Sequence, residues 1–128
     1  MAPVFLGLDE VIEIHWDMIE RYGGSAGIRD MGLLQSAVAM PQAGFGSEFL
    51  HADLFEMAAA YLFHIVQNHP FIDGNKRVGS MAAFTFLTLN GLTLAAPETD
   101  FELVVLEVAR GRLNKAAIVE FLKTHSHR

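Results

Sequence analysis

Two apolar runs at helical spacing, separated only by a short polar loop, constrain this chain more than any other feature. In the first, Leu54, Met57, Ala58, Tyr61, Leu62, Ile65 and Val66 form one stripe, which Phe55, Ala59 and Phe63 widen. In the second, from Lys76 to Asn90, the residues Val78, Met81, Ala82, Phe84, Thr85, Phe86 and Leu89 leave no polar face of any width beyond Arg77. A helix that is apolar nearly all round must be enclosed by other elements, so both runs predict helices at the centre of a bundle. Asp53, with Glu56 three residues on, caps the start of the first. Pro70 ends that helix at Asn68, because proline disfavours helical geometry in the residue before it. Between the two lies His69-Pro70-Phe71-Ile72-Asp73-Gly74-Asn75-Lys76-Arg77.

The remaining segments predict shorter helices around that pair. Leu8, Val11, Ile12, His15, Ile19 and Tyr22 recur at helical spacing, with Asp9 and Glu10 early, Arg21 late and Gly23-Gly24 at the end. Before it, Val4-Phe5-Leu6 reads as a strand fragment or a strap across the core. Ser25 to Arg29 is a loop, and Asp30 caps a short helix that Pro41 stops. Residues 42–51, with Gly44 and Gly46 around Phe45, read as a loop or small hairpin: a connector, or a flap over a site. A further helix starts at Thr99 or Asp100 and ends at Gly111. Asn114 caps the last, and His125 to Arg128 is a frayed tail. The fold class is therefore all-α, some six helices in one domain over residues 1–128, which is too short for a second core.

Charge and composition narrow the function. The formal charge of −6 excludes a nonspecific nucleic-acid or anionic-membrane binder, since both need a basic face. With no cysteine, disulfides, thiolate chemistry and zinc–thiolate sites drop out. Residues 1–8 lack the pattern of a signal peptide, and no apolar run reaches the roughly 18 residues of a transmembrane helix. The expectation is a soluble, cytoplasmic protein.

Between Asp30 and Ala109 the only lysine or arginine side chains are Lys76 and Arg77. Two adjacent cations in apolar sequence need a partner if they are buried, and an anion from outside the chain fits best. The loop supplies the rest of an anion site. The first N–H groups of the following helix have no intrahelical partner, and the helix dipole is positive there. Gly74 lets the backbone approach a phosphate, Asn75 can cap the helix and donate from its amide, and Lys76 and Arg77 add a point charge and a bidentate grip. Asp73 can hold magnesium together with phosphate oxygens, and His69 can act as general base toward a hydroxyl. Together these make a phosphoryl- or nucleotidyl-transfer site. The plainer alternative makes Asp73-Gly74-Asn75 a turn and cap, with Lys76 and Arg77 paired to Glu56 or Asp53. His64 reads as a hydrogen-bonded, partly buried histidine, Trp16 as packing, and His15, His51, His125 and His127 carry no constellation.

The nine residues from His69 to Arg77 resemble the Fic/Doc signature H-x-F-x-[D/E]-G-N-x-R, matching every fixed position. The rest of the chain resembles the shorter Doc, or death-on-curing, branch through Arg21-Tyr22-Gly23-Gly24 and Leu54-Phe55-Glu56. This resemblance implies a helical bundle with the motif between two central helices. It implies His69 as the base, Asp73 toward magnesium, and Gly74, Asn75 and Arg77 around the phosphates of ATP. Two departures bear on the reaction. Adenylyl-transferring Fic proteins usually have a second glycine where Lys76 stands and an arginine where Ser80 stands. The Doc branch also lacks that arginine and is understood to pass the γ-phosphate to a threonine of elongation factor Tu, which halts translation. Gly74 and Pro70, in contrast, look more like the adenylylating branch. The self-blocking motif [S/T]-x-x-x-E-[G/N] is missing from the sequence, so the resemblance implies a separate antitoxin docking in an apolar groove. Segment 42–51 and the first helix are the candidate faces. The leading expectation is thus a kinase toxin using ATP and Mg2+, with a cognate antitoxin and a translation factor as partners. An adenylyltransferase and a catalytically silent partner-binding module are the alternatives.

Overall fold

In the computed structural model, which describes residues 2–128, six α-helices carry the fold. They are α1 (Leu8–Tyr22), α2 (Met31–Ala39), α3 (Leu54–Asn68), α4 (Asn75–Leu89), α5 (Glu98–Ala109) and α6 (Lys115–His125). The all-α expectation holds, and the two apolar runs become α3 and α4, packed on each other with the motif loop joining them. Helix α3 is the hub, touching α2, α4, α5 and α6, while α1 covers α4. Its residues Met57 to Leu62, with Ile65 and Val66, are all buried. Helix α4 is less enclosed than its composition predicts. Val78, Ala82, Ala83, Phe86 and Leu87 face the core, but Phe84 and Leu89 are exposed. Its outer apolar face becomes the wall of a cleft, described below.

Local chemistry explains most helix ends. The carboxylates of Asp30 and Asp53 accept from the N–H groups of Leu33 and Glu56, and the Asn114 amide oxygen accepts from Ala117. Pro41 falls within a single 3-10 turn, Met40–Gln42, that tightens the end of α2. The strap reading of the N-terminal segment is correct. Leu6 both donates to and accepts from the buried Tyr61 hydroxyl, and Val4 exchanges two hydrogen bonds with the Asn90 side chain.

Two short strand pairs complete the chain. Strands β1 (Gly44–Phe45) and β2 (Glu48–Phe49) form the hairpin anticipated for segment 42–51. Phe49 of the hairpin packs on Phe5, which packs on Phe86 near the far end of α4. At 1.5 Å per helical residue, Phe86 lies roughly 16 Å along α4 from the motif. The hairpin is therefore a connector at the opposite pole, not a flap over the site. The tail is a correction. Helix α6 runs to His125, and β4 (Ser126–His127) pairs antiparallel with β3 (Thr93–Leu94), so residues 125–127 are tied to the body and not frayed. Sequence reasoning missed the pairing because each strand is two residues long and carries no periodicity. Trp16, expected to pack, stands 57% exposed on α1.

Candidate active site

A cleft of about 620 Å³ opens between the C-terminal end of α1, the motif loop, the first turns of α4, and α5. Met18 and Tyr22 come from α1; His69 and Asp73 to Arg77 from the loop and the start of α4; Ser80, Met81 and Phe84 from further along α4. The far wall, Glu98, Phe101, Glu102, Val105 and Leu106, is all α5. Every residue singled out from the sequence, His69, Asp73, Gly74, Asn75, Lys76 and Arg77, therefore lines one cavity.

His69 closes α3 in left-handed geometry, φ 54° and ψ 50°, as the one non-glycine residue with positive φ among those described. That conformation costs an L-residue about 1–2 kcal/mol, so neighbouring structure must hold it. Loop 23–30 does so. The Arg29 guanidinium donates to the carbonyls of His69 at 2.6 Å and Asn68 at 2.9 Å. Backbone N–H groups of Arg29 and Asp30 both donate to the Pro70 carbonyl, and Ile72 donates to Gly27. Beneath the loop, the buried Phe71 ring stacks on His15, centroids 4.1 Å apart and 7° from parallel. His15 Nε2 accepts the Gly27 N–H at 3.1 Å, and burial lowers the pKa of this histidine, with nearby Asp73 opposing the shift. A ring that accepts from a backbone N–H and has little water around it is a neutral structural histidine.

Asp73 is held from both sides. Its Oδ1 accepts the Gly74 N–H at 2.8 Å, and its Oδ2 takes a longer bond, 3.3 Å, from the Ser25 N–H. Gly24 is needed for this approach, since a Cβ there would sit 2.6 Å from Asp73 Oδ2 and φ is +108°. The carboxylate stays exposed to the cleft.

The start of α4 differs from the sequence expectation. Gly74, at φ 81°, is the N-cap and supplies no side-chain bond. Asn75 does not cap the helix. It is buried and turned inward, its Oδ1 accepting from the Phe71 N–H at 2.9 Å and its Nδ2 donating to the Phe71 carbonyl at 3.0 Å. Its amide thus staples the loop across Phe71, and only its backbone N–H can serve an anion. With no side-chain cap, the first N–H groups of α4 have no intrahelical partner, and their residues Asn75, Lys76 and Arg77 line the cleft. Lys76 and Arg77 are exposed, so no burial penalty demands an anion. Neither pairs with Glu56 or Asp53 among the described residues; Asp53 sits beside Lys123 at 3.7 Å. Arg77 lies instead with its guanidinium 4.5 Å over the Tyr22 ring, a cation–π contact against the cleft wall. Sequence reasoning did not find Tyr22, Arg29, His15 or the α5 wall, because their roles arise from contacts between elements far apart in the chain.

A left-handed histidine, a held carboxylate, a helix start without a side-chain cap and two cations share one cleft, and groups of these types could together hold phosphate oxygens. The Fic/DOC family model matches residues 5–87, and the chain belongs to that family. It is similar to "Toxin Doc" of Mycolicibacterium smegmatis, 47% identical over 75 residues, which cover 59% of this chain and 58% of that protein. It is also similar to "Protein kinase doc" of Escherichia phage P1, 32% identical over 115 residues, or 90% of each chain. Helices α5 and α6, including the far wall of the cleft, lie outside the family match. No helix among the described residues is long and apolar enough to cross a membrane.

Proposed function

We propose that this protein is the toxin of a toxin–antitoxin pair, a cytoplasmic transferase that moves the γ-phosphate of ATP to a threonine hydroxyl of a translation factor such as elongation factor Tu. One observation carries the reading: His69 shares a single cleft with the uncapped start of α4 and with Lys76 and Arg77. His69 accepts the proton of the target hydroxyl, whose oxygen bonds to the γ-phosphorus as the bond to the β-bridging oxygen breaks and ADP leaves. The N–H groups of Asn75, Lys76 and Arg77 cradle phosphate oxygens, and Lys76 offsets their charge. Arg77 swings from Tyr22 to grip them bidentately.

No group of three or more acidic or histidine ligands gathers among the described residues, which argues against a dedicated metal cage. A single exposed carboxylate fits magnesium, an ion usually held by one or two carboxylates plus substrate phosphates and water. Asp73 is the residue that would hold it, and the ion would neutralise phosphate charge. Ser80 stands where a further phosphate-gripping arginine would support AMP transfer, which favours γ-phosphate transfer. The glycine at position 74 keeps AMP transfer as the second reading. The cognate antitoxin would engage the apolar side of the cleft at Met18 and Tyr22 of α1. The hairpin, at the opposite pole, is the poorer candidate.

The test is intact-mass spectrometry of elongation factor Tu after incubation with the protein, Mg2+ and ATP, with His69→Ala in parallel. A phosphate-sized gain that the variant abolishes is expected. An AMP-sized gain would replace the kinase reading with the adenylyltransferase. No gain in either form would point to another target or to a silent partner-binding module.

A further inference from the structure

We infer that Arg29, whose side chain does not line the cleft, is a positioning residue for the transfer step. It sets the direction of the His69 imidazole by fixing the backbone on both sides of it. The inference rests on the reading of His69 as the base.

At the end of α3 the last carbonyls have no intrahelical partner. Arg29 takes three consecutive ones: Asn68 through a terminal guanidinium nitrogen, His69 through Nε at 2.6 Å, and Pro70 through its own N–H at 2.7 Å. Asp30 adds a second bond to Pro70, and the Asn68 side chain reaches back to the Leu33 carbonyl, so the end of α3 and the start of α2 form one hydrogen-bonded unit. The isolated bridge between Ile28 and Phe71 continues that unit into the motif. His69 is followed by proline, which by itself drives the preceding residue toward extended geometry. In extended backbone the Cα–Cβ bond points elsewhere, and the imidazole leaves the cleft. The two side-chain bonds to the carbonyls of residues 68 and 69 oppose that relaxation. A planar fork with several donors can hold two neighbouring carbonyls at once, whereas a lysine ammonium on its flexible stem holds one well. Because Arg29 is not part of the cleft lining, its loss leaves the phosphate cradle intact.

The full-length chain is compared with Arg29→Ala and Arg29→Lys, using elongation factor Tu, Mg2+ and ATP, with ADP binding measured separately. For Arg29→Ala, kcat is expected to fall roughly a hundredfold, the scale of a misplaced catalytic group. The KM for ATP and the Kd for ADP stay within about twofold, and Arg29→Lys recovers part of kcat. Independently of turnover, the Cα and Cβ chemical shifts of His69 report its backbone geometry. Their left-handed signature is expected in the parent and lost in Arg29→Ala. Wild-type kcat in Arg29→Ala would overturn the inference. So would a loss of kcat matched by the loss of ADP binding, or a left-handed His69 that survives the substitution. If the parent leaves elongation factor Tu unmodified, the target or the kinase reading fails. The chemical shifts then decide the Arg29 inference alone, loss of the signature supporting it and retention overturning it.

Discussion

The amide of Asn75 spans a single residue, receiving the N–H of Phe71 and giving to its carbonyl. Gly74 just before it adopts φ 81°, left-handed geometry that a glycine reaches without a Cβ penalty. Gly24 serves the site from outside the motif. Gly24→Ala places a Cβ against Asp73 Oδ2 and forces alanine to φ +108°, costing about 1–3 kcal/mol in strain. The displaced carboxylate should slow the proposed transfer by roughly a hundredfold. Parallel denaturant melts separate this loss from unfolding. Arg77 and Tyr22 show the same dependence on distant sequence, since their 4.5 Å contact joins the end of α1 to the start of α4.

At the level of elements, the site stands on how closely α3 and α4 approach. Gly79 sits at their crossing. A Cβ there would lie 2.8 Å from Val66 Cγ2 and 3.2 Å from the Leu62 carbonyl oxygen. The helix tolerates this glycine, weak as it is in helices, because a larger residue would push its neighbour away. Gly79→Val should destabilise the protein by about 1–3 kcal/mol through overpacking, read as a lower midpoint in urea unfolding with an unchanged slope. Helices α6 and α3 share a polar contact. Lys115 donates to His64 Nε2 at 3.0 Å and lies 5.7 Å over the Phe63 ring. Here the expectation of a hydrogen-bonded, partly buried His64 holds, although its partner lies 51 residues away.

Across the whole molecule, three histidines are kept neutral inside the fold. Burial lowers the pKa of His15 and of His51, and burial with the neighbouring Lys115 pushes His64 down to about 4. In the unfolded chain each takes up a proton near pH 6.5. The unfolded state therefore binds more protons as pH falls below 6.5, and stability drops between there and the folded value of His64. Melting temperature is expected to fall steadily from pH 7 to pH 4.5. Replacing His64 with Gln should flatten part of that slope; an unchanged slope would remove His64 from the explanation. The molecule is also polar in layout. The motif cleft occupies one end of the α3–α4 pair, while the hairpin, with Phe45 94% exposed, occupies the other.

The sequence by itself determined the six helices, the central place of α3 and the nine-residue motif, because apolar spacing, caps and helix stops are local and act within a few residues of chain. It also brought the candidate site residues into one neighbourhood, since all six lie between His69 and Arg77 in a single loop and helix start. Tertiary structure alone decided which way each of them faces. Arg29 holding the carbonyl of His69, His15 stacked beneath Phe71, Asp73 reaching Ser25, and α5 closing the cleft all join segments 40 or more residues apart, or elements with no shared pattern. The two-residue pairing of β3 with β4 belongs to the same group. Such contacts depend on how whole elements pack against one another, and no local spacing encodes them.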